Sequence, residues 1–387
     1  MGNKQKTIII IVALLIVGVI FIWLNSSSSK KGTQINIDPE SQKTLEFLNT
    51  GPVSPISGLA CDSWNRRPIA VMQPSDVQAR PAAGFSEADI VFEMPAYTSS
   101  ITRLMGVYIC NVPDEIGAIR SSRHDYIPIA KGLDAIFVHW GGSHFALDLL
   151  EKNVIDHINC PGNYCERWDW QNDAKMRKED SGHITKENVQ KFMDDLNFRK
   201  ESNLSGYPHQ AENLLEERPN GGNLRVAFAN PYDVNYEYDK NTNSYLRLWD
   251  GVKDVDRNNN QRIAPKNIAV LFALSEQITN SQDYIGKGLK NPWADVEEIK
   301  NTGSESISGR YNNVQIGDPW YDTGDSGEAY YYMNGKEVKG SWKKDKSKID
   351  SKLFFYDGAG KEIKFVPGQI WVEILEPGQA LKWKPIQ

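Results

Sequence analysis

The chain is short of cysteine, histidine and net positive charge. Only four of its 387 residues are cysteine and six are histidine. No cysteine precedes Cys61, so the N-terminal apolar run lacks the residue a lipoprotein signal needs just after it. The cysteines do not show the paired CxxC spacing of a zinc site, and no HExxH motif exists. No metal or cofactor is expected. Lysine and arginine number 44 against 50 aspartate and glutamate, a net charge of −6. Residues 1–31 hold Lys4, Lys6, Lys30 and Lys31 and no acid, so the remainder carries 40 bases and 50 acids, or −10. An acid excess of that size argues against nucleic acid as a partner. It also makes any local cluster of arginines notable.

What is present begins with Thr7–Leu24, TIIIIVALLIVGVIFIWL, uncharged and with fourteen Ile, Leu, Val or Phe. As a helix it would rise about 27 Å, close to the hydrocarbon thickness of a bilayer. An uncleaved single-span anchor is expected over residues 7–24, with 1–6 as a cytoplasmic tip; cleavage after NSSSS is the competing reading. The free amino terminus beside Lys4 and Lys6 favours the short side as cytoplasmic. The globular part would then lie outside the cell membrane, beyond a polar linker over residues 25–54.

Two domains follow. Residues 55–217 mix strands (Pro68–Met72, Glu87–Met94, Ile101–Ile109, Ala135–His139) with helices (Phe145–Asn153, Lys186–Leu196), which predicts an α/β, mixed α+β, domain. Residues 223–387 read as mainly β. Hairpins are expected around Asp239–Asn243 and at Asn334-Gly335, with further strands near Lys266–Ile278 and Lys352–Leu375. The loop Asp295–Asp318 reads as exposed. Cys160 and Cys165 bracket a short turn that can close a disulfide, and Cys61 and Cys110 can form a second.

Chemistry concentrates in "DEIGAIRSSRHDYIPIAKGLDAIFVHWGGSH", residues 114–144. Arg120 and Arg123 flank Ser121 and Ser122 after an apolar strand end, a pattern suited to a carboxylate or phosphate. Arg103, in a neighbouring strand, can converge on them. The competing structural reading pairs these arginines with Asp89, Glu93, Asp125 or Asp134. His139 ends a strand and is an acid/base candidate, against a histidine satisfied by backbone carbonyls. Gly141 and Gly142 permit a sharp turn or a close approach to a ligand. Ser143 lacks the final glycine of a nucleophile elbow and sits beside His144, which is poor triad geometry. Asp254, Asp256, Asn258 and Asn260 resemble a calcium loop briefly, but Asn259 and Pro265 occupy positions where glycine and glutamate are required. Tyr236, Tyr238, Trp249, Tyr330, Tyr331, Tyr332 and Trp342 either fill a β core or stack on sugars.

The stretches "RRPIAVMQPSDVQARPAAGFSEADIVFEMP", "ITRLMGVY" and "IGAIRSSRHDYIPIAKGLDAIFVHWGGS" resemble the N-terminal domain of the YerB-like lipoprotein family. "APKNIAVLFA" and "AYYYMNGKEVKGSWKK" are similar to its second domain. The resemblance implies a bacterial, envelope-associated, two-domain protein without a settled activity. The family's Arg-Ser-x-Arg and His-x-Gly-Gly-Ser fall on Arg120–Arg123 and His139–Ser143. "RKEDSGHIT" resembles a further family segment and would bring Arg177 and His183 to the same place. Here Gly182 and Ile184 replace the family's Pro and Asn, and Ser99-Ser100 replaces a Gly-Gly pair. The expected ligand-binding set is therefore Arg103, Arg120, Ser121, Arg123, His139, Gly141, Gly142, Ser143, Arg177 and His183.

Three functions fit this sequence. The leading one is an envelope protein holding an anionic cell-wall component or partner protein in an arginine- and histidine-lined cleft. A hydrolase or transferase of an envelope polymer, with His139 or His183 as acid/base, is the second. A scaffold for other membrane proteins is the third.

Overall fold

A computed structural model describes residues 51–97, 101–162, 164–277, 312–317 and 325–386. The expected anchor at 7–24, most of the tether and most of the 295–318 loop lie outside the described residues. No helix among the described residues is long and apolar enough to cross a membrane.

In chain order the elements of the first half are β1 (Ile69–Pro74), β2 (Ile90–Pro95), β3 (Thr102–Tyr108), β4 (Glu115–Gly117), α1 (Tyr126–Gly132), β5 (Ile136–His139), α2 (His144–Glu151), β6 (His157–Asn159), β7 (Glu166–Arg167), β8 (Gly182–Thr185) and α3 (Lys186–Asp195). The second half adds β9 (Gly221–Ala227), β10 (Val234–Asp239), β11 (Ser244–Trp249), β12 (Val252–Lys253), β13 (Asn267–Phe272), β14 (Ser275–Gln277), β15 (Asn312–Val314), β16 (Ser326–Met333), β17 (Lys336–Lys343), β18 (Phe354–Asp357), β19 (Ile370–Leu375) and β20 (Ala380–Ile386).

The two halves share one sheet. Its ten strands run β18-β17-β16-β13-β19-β2-β3-β1-β5-β6, five from each half. They join where β19 pairs parallel with β2, Ile370 opposite Ile90 and Glu373 opposite Glu93. Both strands are buried along their whole length. That explains the unbroken apolar runs IVF and IWV, which have no solvent face to alternate with. One face carries Ala70, Met72, Phe92 and Met105 with Tyr126, Ile127, Ala146 and Leu149 of α1 and α2. The other carries Ile69, Val71, Val91 and Trp371 with Phe192 of α3 and with Leu224, Tyr236 and Trp249. The last three belong to a five-stranded sheet, β12-β11-β10-β9-β20. A third sheet, β4-β8-β7, flanks the first half.

Local signals explain the ends of elements. Thr185 accepts from the Asn188 N–H at 3.2 Å and caps α3, as its side-chain oxygen allows. Asn334 and Gly335 both have positive φ at the tip of the β16–β17 hairpin, the turn that matches strand twist. Both expected disulfides are formed, Cys61–Cys110 and Cys160–Cys165. Of the seven aromatics weighed for sugar stacking, all but Tyr330 are buried, which favours core filling for those six.

A buried charge network docks the halves. Arg247 of β11 is fully enclosed and pairs with Glu93 and Asp254. Asp254 also holds Arg80 at 2.6 Å. Glu373 accepts from the Tyr236 hydroxyl; burial and the adjacent Glu93 push its carboxyl up. Asp256, from the calcium-like stretch, accepts from the N–H groups of Gly84 at 3.0 Å and Ser86 at 2.7 Å. That carboxylate clamps one half to the other.

Candidate anion site

Backbone hydrogen bonds place the arginine turn. Ile119 N–H donates to Gly182 O at 2.6 Å and Arg120 N–H to Met72 O at 2.8 Å. Trp140 N–H donates to Arg120 O at 3.1 Å, Ser122 N–H to Gly141 O at 3.0 Å and Ser143 N–H to Ser122 O at 3.2 Å. The segment thus lies between the end of β1, β8 and the turn after β5. Gly141 adopts φ +65° with open space around it, a conformation glycine takes without a steric cost. Gly142 is tight instead: a Cβ there would lie 2.1 Å from Ser122 Oγ. Ser121 is half-buried on the turn. Ser143 accepts from Ala146 N–H at 3.2 Å and caps α2, so it serves as a helix cap.

Of the four arginines here, three meet two buried or nearly buried carboxylates. Arg103 Nη1 lies 3.7 Å from Asp76 Oδ2, and Arg177 Nη2 lies 3.8 Å from Asp76 Oδ1. Asp180, fully buried, takes Arg177 Nε at 2.5 Å and lies 3.4 Å from Arg120 Nε. Arg123 donates to Ser122 O at 2.9 Å and packs over the Tyr97 ring at 5.7 Å. No carboxylate among the described residues comes within ion-pair distance of Arg123. Half-exposed Glu179 is 3.6 Å from Arg177 Nε, so four cations face three anions, one of them on the rim.

The field reflects this crowding. Burial, with the charges of Arg123 and Arg120, brings Arg103 down to about 10, although Asp76 pulls the other way. Burial works against charge on Arg177, yet the hydrogen bond and charge of Asp180 raise its pKa. Several polar atoms remain without hydrogen bonds among the described residues: Arg103 Nε, Arg120 Nε, Arg123 Nε, Arg177 Nη2, Asp76 Oδ2 and Asp180 Oδ1. Buried polar atoms are ordinarily paired, and four of these six are guanidinium donors of the kind an oxyanion accepts from.

The structure separates the histidines from this cluster. His139 is fully buried; its Nδ1 donates to Gly141 O at 2.8 Å and its Nε2 lies 3.1 Å from His157 Nδ1. Burial brings it down to about 4, the Gly141 bond opposing and His157 reinforcing the shift. The expected cleft-lining acid/base is thus corrected to a histidine sealed between strands, because β6 covers the ring that ends β5. His183 on β8 stacks on Trp168 at 5.0 Å and lies 3.8 Å from Glu115. Its described partners are Trp168 and Glu115 and include none of the arginines.

The carboxylates expected to neutralise the arginines are used elsewhere. Asp89 accepts from the Ser54 and Ser57 hydroxyls at 2.7 and 2.6 Å, Glu93 pairs with Arg247, and Asp134 pairs with Arg199 at 2.5 Å. Asp125 Oδ1 takes His124 at 3.1 Å. Asp76 and Asp180 carry no local sequence signal for the role they take. Among the described residues no cluster of three or more His, Cys, Asp or Glu is placed to hold a metal.

Comparison with known proteins sets this geometry in a family. The family described as "Protein of unknown function (DUF3048) N-terminal domain" matches residues 56–199, and its C-terminal domain matches residues 224–372. A protein of Bacillus subtilis (strain 168) named "Putative lipoprotein YerB" is 27% identical over 345 residues, 87% of this chain and 88% of that protein. A crystal structure of YerB protein from Bacillus subtilis superposes with a TM-score of 0.68 at 23% identity, covering 86% of this chain and 99% of that one. At that identity the superposition establishes the fold.

Proposed function

The chain belongs to the DUF3048 family of proteins of unknown function and carries both its N- and C-terminal domains; from that premise we propose that it is an envelope protein that holds an anionic group with Arg103, Arg120, Arg123 and Arg177. The anion would come from a cell-wall component or a partner protein. In this reading residues 7–24 anchor the chain once in the cell membrane and the globular part lies outside. The relative's name as a lipoprotein and the two disulfides support that side, since disulfides persist in oxidising compartments.

The observation that carries the binding reading is the pair of Nε groups on the buried Arg103 and Arg123, which have no hydrogen-bond partner among the described residues. An oxyanion accepts several N–H groups at once and would satisfy them, with charge-assisted strength. Retention of the full chain on purified wall material tests this. Wild-type protein is expected to be retained, and Arg120→Ala with Arg123→Ala to reduce retention at least about tenfold, the loss of 1.4 kcal/mol or more. Unchanged retention by a variant with an unaltered circular dichroism spectrum contradicts it.

A further inference from the structure

Beside the arginine cluster lies a hollow of about 370 Å³ whose walls include Val77, Pro81, Trp249 and Val252, with Lys175 and Lys253 at the edge. Its floor is fixed. The Arg80 guanidinium lies 4.5 Å above the Trp249 ring and bonds Asp254 at 2.6 Å, so its charge is already neutralised. Val77 and Val252 are 58% and 66% exposed, apolar side chains left open at the mouth.

Residues lining the hollow neighbour those of the cluster along the chain. Val77 follows Asp76, which faces Arg103 and Arg177. Lys175 stands two residues before Arg177. Tyr232 packs edge-on against Trp249 at 6.1 Å, and burial together with the charge of Asp76 pushes its hydroxyl up. Trp249 Nε1 is a buried donor without a partner among the described residues.

Resting on the anion reading above, we propose that the ligand is an amphipathic anion: an acidic phosphate or carboxylate carried on a hydrocarbon chain, with the charge on the arginines and the chain in this hollow. A free inorganic anion would use the arginines and leave the apolar walls idle. A chain-bearing anion uses both, and Lys175 and Lys253 add favourable charge along its path. Burying about three methylenes predicts a gain of roughly fiftyfold over the bare anion, from about 0.8 kcal/mol each.

The test uses the full chain in lipid nanodiscs, with empty nanodiscs as blank, titrated calorimetrically with inorganic phosphate, n-hexyl phosphate and 1-hexanol. The expected result is hexyl phosphate binding about fiftyfold tighter than phosphate, hexanol weakest, and both phosphates lost in the Arg120→Ala, Arg123→Ala variant. Val77→Asn with Val252→Asn, changes at exposed positions, should bring the hexyl-to-phosphate affinity ratio below about five. Phosphate binding at the arginines with hexyl phosphate no tighter overturns the amphipathic ligand and leaves the anion reading standing. A large ratio untouched by the two asparagines overturns it as well, because the chain then sits elsewhere. Absence of binding by either phosphate removes both readings.

Discussion

Asp180 Oδ2 lies 2.5 Å from Arg177 Nε while its Oδ1, 3.4 Å from Arg120 Nε, has no hydrogen bond among the described residues. One buried carboxylate therefore holds two arginines from different segments, the second at ion-pair distance without a hydrogen bond. This is the relationship by which the site is assembled.

Asp180→Asn keeps the shape and removes the charge. Breaking a buried pair costs about 3–5 kcal/mol, and partial exposure of both arginines reduces the expected loss to about 2 kcal/mol. The same change removes a competitor for the guanidinium groups, so phosphate should bind about tenfold tighter. Chemical denaturation and calorimetry read the two effects separately. A variant that loses both stability and affinity would mean that Asp180 chiefly positions the arginines.

The contact between the two turns predicts a non-additive pair. Gly142→Ala places a methyl group against Ser122 Oγ and should cost about 2 kcal/mol, in the range for overpacking. Ser122→Ala removes the obstructing oxygen. The double variant should then be more stable than Gly142→Ala alone by about 1 kcal/mol, a coupling of the kind contacting residues show. Equal stability of the two would place the strain elsewhere.

His139 predicts an acid-sensitive window. The folded protein keeps it neutral down to about 4, whereas an unfolded histidine titrates near about 6.5. Between those values the unfolded chain binds more protons, so stability falls as pH drops through the window and levels off below it. The full difference amounts to about 3 kcal/mol. Urea midpoints measured from pH 7 to pH 3.5 should show this slope, and His139→Gln should flatten it. An unchanged slope in that variant would assign the acid sensitivity to other groups.

Parts of this architecture are legible in the amino-acid order for physical reasons. β2 and β19 announce themselves because strands buried on both faces need continuous apolar runs. The Asn334-Gly335 hairpin and the Thr185 cap are local events with local codes. The Arg120–Arg123 and Gly141–Ser143 segments stand out as motifs, and the structure joins them through Ser122. Other parts are not legible. Helix α1 is only seven residues and contains Pro128, which its first turn tolerates because that N–H needs no partner. Arg247 looks like an ordinary outward residue of an alternating strand; its partner Glu93 is 154 residues away. Asp76 and Asp180 sit in polar stretches that read as solvated loops. His139 misleads for the opposite reason: a strand-terminal histidine before two glycines looks accessible until β6 covers it.

The account stands on one claim, that an oxyanion completes the unpaired donors of Arg103, Arg120, Arg123 and Arg177. Crystals of the protein soaked in tungstate, with the ion located by its anomalous signal, test it directly. The account predicts a peak within hydrogen-bonding reach of Arg123 Nε and at least one further guanidinium of the four, absent from crystals of the Arg120→Ala, Arg123→Ala variant. Ordered tungstate only at other positions, with water alone among these arginines, would contradict it.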